Sequence, residues 1–260
     1  MRRFFFFFVL VASLVAGACK KAPPPPEVDS SLEQAMDLVA SRCNVEVESA
    51  VVQCSGVEMG EIARGLVDGN QPRLGKLHTL VHSLSSPDAK RRVIAAHLAR
   101  NVYGESFGPA AQPGAVSPQT ADALIEALRK LPPALATRVA PVGAHAAALS
   151  GREEALFAAL NGLPPEVRLE VYRGLMTYGR LAAFPKVREL AQGDFDQISA
   201  ALASVSKMQN WSAEEQAAIC PWLVGLTKHD NPRVVDQSYA VLQACKADDY
   251  QKLLRERQKR

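Results

Sequence analysis

Aromatic residues are scarce in this 260-residue chain, at 6% of the total with only two tryptophans. Cysteine is sparse as well, and five in this length cannot make a small disulfide-knotted scaffold. Neither sign of charge dominates, since 30 Lys and Arg stand against 27 Asp and Glu. Once Arg2, Arg3, Lys20 and Lys21 are set aside, residues 27–260 carry 26 basic against 27 acidic side chains, a formal −1. A near-neutral body argues against nucleic acid as a partner. After Ala18 no apolar run approaches the ~20 residues of a spanning helix, which excludes a polytopic membrane protein. The balance of 48% hydrophobic and 22% charged residues excludes a collagen, a low-complexity polymer and a wholly disordered chain.

The first residues read as an address. Met1-Arg2-Arg3 is a short positive segment, Phe4 to Val15 is apolar, and the small residues Ala16-Gly17-Ala18 end at Cys19. This is the layout of a secretory signal peptide over residues 1–18. The cysteine directly after small residues resembles the lipobox of bacterial lipoproteins, with Ala16 where the pattern usually has Leu. The resemblance implies cleavage before Cys19, acylation of that cysteine, and a membrane partner engaged through its acyl chains. It also implies the outer membrane of a Gram-negative cell, facing the periplasm, because Lys20 stands where an Asp would favour inner-membrane retention. Residues 19–29 then form a tether, in which Pro23 to Pro26 favour extended polyproline II at ~3.1 Å per residue.

Four cysteines remain for an oxidising compartment: Cys43, Cys54, Cys220 and Cys245. Three pairings are possible, and the local one, Cys43 with Cys54 and Cys220 with Cys245, is the working expectation. A zinc site is its rival, disfavoured because neither pair has C-x-x-C spacing.

Strand signals are nearly absent, with local alternation only over Val45 to Val52. Elsewhere Ala, Leu and charged residues recur at helical spacing. Helices are expected near 30–42, 57–68, 72–85, 87–103, 118–130, 133–149, 151–161, 165–178, 183–192, 194–207, 212–228, 232–246 and 247–257. Ser30 with Glu33, Ser150 with Glu153, and Ser212 with Glu215 have capping-box spacing. Ser86-Pro87-Asp88 offers an N-cap followed by a first-turn proline and acid.

A turn proline followed by positions four and eight residues apart recurs at Lys90/Ile94/Leu98, Val167/Val171/Leu175 and Val234/Ser238/Leu242. Leu135/Val139 and Ile198/Leu202 fit more loosely, giving a degenerate period the size of a helix pair. This pattern, with Val167-Arg168 and with Pro221 inside the preceding helix, resembles the second helix of HEAT repeats over roughly residues 70–250. The resemblance implies an all-α fold, an α-solenoid of antiparallel helix pairs with an irregular helical N-terminal part. An irregular helical bundle is the alternative. The helical domain is expected to run over 30–260, with a Gly- and Pro-rich break at 104–117 that reads as a binding loop, a hinge or plain disorder.

No catalytic site emerges. G-x-S-x-G, Walker-type and G-x-G-x-x-G motifs are missing. His78 and His82 lie four apart, but Thr79 stands where a zinc protease needs its Glu, so no metal ligand and no cofactor is assigned. The adjacent acids Glu153-Glu154, Glu214-Glu215 and Asp248-Asp249 suit helix starts better than a glycosidase pair. His97 reads as packing or partly exposed, while His145 and His229 are placed at helix ends or turns. Trp222 is expected in the core. Trp211 is expected as a staple, or as a partner anchor if exposed. The C-terminal Lys252, Arg255, Arg257, Lys259 and Arg260 read as a solvated helix end, with anionic lipid or an acidic partner as the sharper alternative.

The expectation is therefore a lipid-anchored, non-enzymatic adaptor or assembly factor with an envelope protein partner. A cell-wall enzyme using the His78/His82 helix and a purely structural lipoprotein are the alternatives.

Overall fold

Local signals set the helices first. The computed structural model describes residues 27–55, 58–69, 71–105, 107, 111–178, 181–190, 195–206, 208 and 211–258. The signal segment, Cys19 and most of the tether lie outside the described residues. The chain is predominantly helical, with thirteen α-helices among the described residues. They are α1 Ser30–Arg42, α2 Glu58–Gly65, α3 Leu74–Leu84, α4 Ala89–Tyr103, α5 Pro118–Lys130, α6 Pro133–Ser150 and α7 Glu153–Leu160. Then come α8 Pro165–Thr177, α9 Phe184–Leu190, α10 Phe195–Ser206, α11 Ala213–Leu226, α12 Pro232–Leu242 and α13 Asp248–Gln258. Each falls at a place where the sequence predicts one.

Two small antiparallel ribbons interrupt the N-terminal part. β1 (Asn44–Glu46) pairs with β2 (Val51–Gln53), within the segment that alternates in sequence. β3 (Val67–Asp68) pairs with β4 (Gln71–Pro72) through a turn at Gly69, whose φ of +59° suits glycine. This second ribbon cuts short the helix predicted over 57–68.

The caps correct the sequence reading in three places. Asp29, not Ser30, caps α1, accepting from the Ser31 and Leu32 amides. Asp29 also donates its own amide to Thr79 Oγ1 and pairs with Lys76, so contacts from α3 choose the cap. Asp88 caps α4 by accepting from the Lys90 amide, two residues later than the Ser86 cap expected. Ser150 starts nothing: its hydroxyl donates to the Ala146 carbonyl, and α6 ends at Gly151 in the left-handed region at φ +70°. The Ser212/Glu215 capping box forms reciprocally.

The helices pack in a regular order. α4 touches α6, α6 touches α8, α8 touches α10, and α10 touches α12. On the other side α3 touches α5, and α5 touches α7. The neighbours α3–α4 and α5–α6 join these two series, while α9 packs on α8 and α10, and α11 packs on α12. At the N-terminal end α1, α2 and the β1–β2 ribbon pack on α4. Buried side chains from Leu32 to Cys245 form one continuous apolar cluster.

The spaced positions supply the centre of that cluster. Ile94, Leu98, Val167, Val171, Leu175, Val234, Ser238 and Leu242 are all enclosed. Lys90, in the first turn of α4, is the exception and is exposed. α6 is enclosed from Val139 through Leu149, more completely than a helix with one buried stripe.

Candidate functional site: the α4–α12 row

Small residues let α6 and α8 approach closely. A Cβ placed on Gly174 would lie 2.6 Å from the Ala144 Cβ and 3.1 Å from the Pro141 Cα, so glycine is required at the crossing. Because α6 carries Pro141 and Ala144 here, longer side chains on its two neighbours reach over it. Arg100 of α4 donates Nη1 to Glu170 Oε2 of α8 at 3.2 Å. Arg173 donates Nη1 to Glu170 Oε1 at 2.5 Å and Nε to Ser204 Oγ of α10 at 3.0 Å. Two guanidinium groups thus share one carboxylate that is only 15% exposed, and the clasp runs from α4 to α10. Charge-assisted forks of this kind fix geometry as well as charge.

An aromatic notch adjoins the clasp. Phe107, 2% exposed, meets the Tyr103 ring edge-on at 5.7 Å and the His145 ring at 5.5 Å. His145 in turn meets Tyr178 at 5.2 Å. The Phe107 amide donates to the Tyr178 hydroxyl at 2.8 Å, and His145 Nδ1 lies 3.0 Å from the Tyr103 carbonyl oxygen. Burial pushes the Tyr103 phenol well above its ordinary value. It also raises that of Tyr178, an effect that the Phe107 amide opposes. Further along, Gly114 donates its amide to the Leu149 carbonyl, Val116 is buried, and Ser117 caps α5. The Gly- and Pro-rich break is therefore a strap, anchored at both ends of its described residues on α6 and its neighbours. His145 lies inside α6 and is buried, which corrects its placement at a helix end.

Beyond the clasp the row opens. Between α10 and α12 lies a cleft of about 580 Å³ lined by Leu202, Met208, Trp211, Val241, Gln237 and small residues of both helices. Trp211 is 5% exposed and donates Nε1 to the Met208 carbonyl at 2.9 Å, so it forms a wall and not a protruding anchor. Gln237 Oε1 is buried without a hydrogen-bond partner among the described residues. Trp222, expected in the core, is half-buried and sits edge-on to Phe184 at 5.6 Å.

The cysteines form two disulfides, Cys43–Cys54 and Cys220–Cys245, with Cα separations of 4.5 and 6.1 Å. The first ties the C-cap of α1 to the residue after β2, and the second ties α11 to the turn that follows α12. Cys43, Cys54 and Glu58 are the one trio of metal-capable groups brought together among the described residues, and the disulfide occupies both of its sulfurs.

The other predicted residues stay apart. His78 Nδ1 lies 3.2 Å from Thr120 Oγ1, while His82 Nδ1 lies 3.3 Å from Glu33 Oε1. Burial lowers the His78 pKa, with His82 adding to the effect. His97, half-buried, is also lowered by burial, then by Arg138. His229 Nδ1 accepts from the Asn231 amide in a turn. The three acid pairs occupy the first turns of α7, α11 and α13. At the C-terminal end Arg257 folds back onto Asp236 and over the Tyr239 ring, 4.0 Å from its centre.

Sequence reasoning missed both the clasp and the notch. Arg100 and Glu170 are 70 residues apart and share no motif. Phe107 had a signal, a large aromatic isolated among glycines and prolines. Gly174 had one too, a glycine in mid-helix, which marks close packing. Among the described residues no helix is long and apolar enough to cross a membrane. Compared with protein families, curated proteins and solved structures, the chain matches none.

Proposed function

We propose that this chain is a lipid-anchored periplasmic α-solenoid acting as a non-enzymatic, protein-binding adaptor or assembly factor at the outer membrane. The observation that carries the reading is the ordered row α4–α6–α8–α10–α12, which is sealed over α6 and open as a cleft between α10 and α12. A row of like helices, backed over its first part by α3, α5 and α7, supports a helix-pair repeat, because in such a repeat each pair buries its apolar side against the next. Such a surface is stiff and pre-formed, so a partner binds without first ordering it. The cleft offers apolar walls with a few polar groups, a combination suited to receiving side chains from another protein. The lipobox-like Cys19 supplies the address, and two disulfides suit an oxidising compartment.

The test is crosslinking of the full-length chain in living cells, with outer-membrane fractions analysed by mass spectrometry. One discrete envelope protein, captured with Cys19 intact and lost with Cys19→Ser, is expected. Photo-crosslinkers at Ala203 or Ala240 on the cleft should capture it, whereas one at exposed Glu214 on α11 should not. Capture that is independent of both Cys19 and the cleft positions would overturn the proposal.

A further inference from the structure

The strap brings two side chains of different chemistry to one face of the row. Phe107 fills the notch formed by Tyr103, His145 and Tyr178. Glu105, two residues before it, lines the cleft in which Arg100 and Arg173 outnumber Glu170. Two of these features are contacts by which a bound peptide is held, an aromatic side chain in a pocket and a backbone amide donating to a fixed hydroxyl, and the third is an acid placed near, but not paired with, the two arginines. Phe107 belongs to the long connection between α4 and α5, helices that pack on α3 and α6 more than on each other, and connections of this length are commonly functional. Glu105 is exposed, and among the described residues the ion pairs of both arginines go to Glu170.

We propose that Glu105 and Phe107 form an internal pseudo-ligand. They occupy in cis a site that accepts an extended partner segment carrying an acidic residue two positions before an aromatic one. The inference rests on the adaptor reading and adds to it a mode of recognition and a built-in restraint. A tethered occupant competes at an effective concentration in the millimolar range. The partner's apparent affinity is reduced by the fraction of chains whose notch is free. An envelope protein therefore engages this face only when its segment outcompetes the strap, while the α10–α12 cleft stays accessible throughout.

The probe is a fluorescein-labelled peptide with the sequence of residues 103–112, Tyr-Gly-Glu-Ser-Phe-Gly-Pro-Ala-Ala-Gln, followed by anisotropy against the purified, oxidised chain. Phe107→Ala should bind it at least tenfold more tightly than the unaltered chain, and Phe107→Leu about threefold more tightly. A peptide with its Phe replaced by Ala should lose binding to both variants, and one with its Glu replaced by Gln should bind several-fold more weakly. Circular dichroism and thiol titration establish that each variant is folded with both disulfides formed. The leucine variant, which keeps the notch partly filled, decides the matter if the alanine variant unfolds. If folded variants bind the peptide no better than the unaltered chain, the strap is structural and the proposal fails. That result leaves the adaptor reading to be judged separately by crosslinking at the α10–α12 cleft.

Discussion

Gly174 and Gly225 are both helix residues, yet substitution by alanine should move stability in opposite directions. At Gly174 the added methyl would sit 2.6 Å from the Ala144 Cβ and 3.1 Å from both Cα and O of Pro141. Carbon pairs prefer about 3.5–4.0 Å, so α6 and α8 must separate by roughly 1 Å at their crossing. None of the opposing atoms lies at the end of a flexible side chain that could swing away. Overpacking of this kind costs about 1–3 kcal/mol, and two rigid contacts place Gly174 toward the upper end. Alanine regains about 1 kcal/mol of helix propensity, leaving a net loss of roughly 1–2 kcal/mol. For a chain of this size that lowers Tm by about 4 °C. At Gly225, near the end of α11, an added Cβ meets nothing within 4 Å. Only the propensity term remains, damped near a helix end, so Gly225→Ala should raise Tm by about 1–2 °C. Thermal melts of oxidised protein followed at 222 nm measure both. Placing Ala144→Gly in the Gly174→Ala background should recover part of the loss, because it removes the shorter contact. If Gly174→Ala stabilises as Gly225→Ala does, the tight α6–α8 crossing is wrong.

Acid sensitivity should trace in part to Asp29. Lys76, then the Ser31 hydroxyl and the Leu32 amide, hold its carboxyl well below the usual range. Its contribution is therefore complete above the unfolded value near pH 4 and fades as pH falls toward the depressed folded value. Asp29→Asn should flatten the acid limb of a Tm–pH profile, and an unchanged limb would exclude the role. The two disulfides should differ in worth. Closure over 25 residues by Cys220–Cys245 predicts about 3.5 kcal/mol. Closure over 11 residues by Cys43–Cys54 predicts about 2.8 kcal/mol. Double-serine variants compared in urea should show that order. Within the clasp, Glu170→Ala should cost about 2–3 kcal/mol, since it leaves two partly buried guanidinium groups facing each other. Arg100→Ala, at 39% exposure, should cost under about 1 kcal/mol, because Arg173 still pairs the carboxylate. Equal losses would mean that the clasp does not act as a unit.

The positions of the helices were readable along the chain because helical period, proline placement and capping act over four to eight residues. Val167/Val171/Leu175 and Val234/Ser238/Leu242 identified enclosed faces for that reason. The β3–β4 ribbon was not readable, since strands of two residues carry no period. Neither was the α1 cap, where Asp29 and Ser30 are both good N-cap residues. Thr79 and Lys76, 50 and 47 residues away, make the choice.

By itself the sequence determined the expected address, the helical class and the enclosed positions of the repeated helices, all of which rest on neighbours in the chain. Only the tertiary structure decided that Phe107 enters a notch, that Arg100 reaches Glu170 over α6, and that the row stays open between α10 and α12. These depend on how closely two helices approach, which at Gly174 is set by the absence of one methyl group. A distance between helices leaves no mark along the chain.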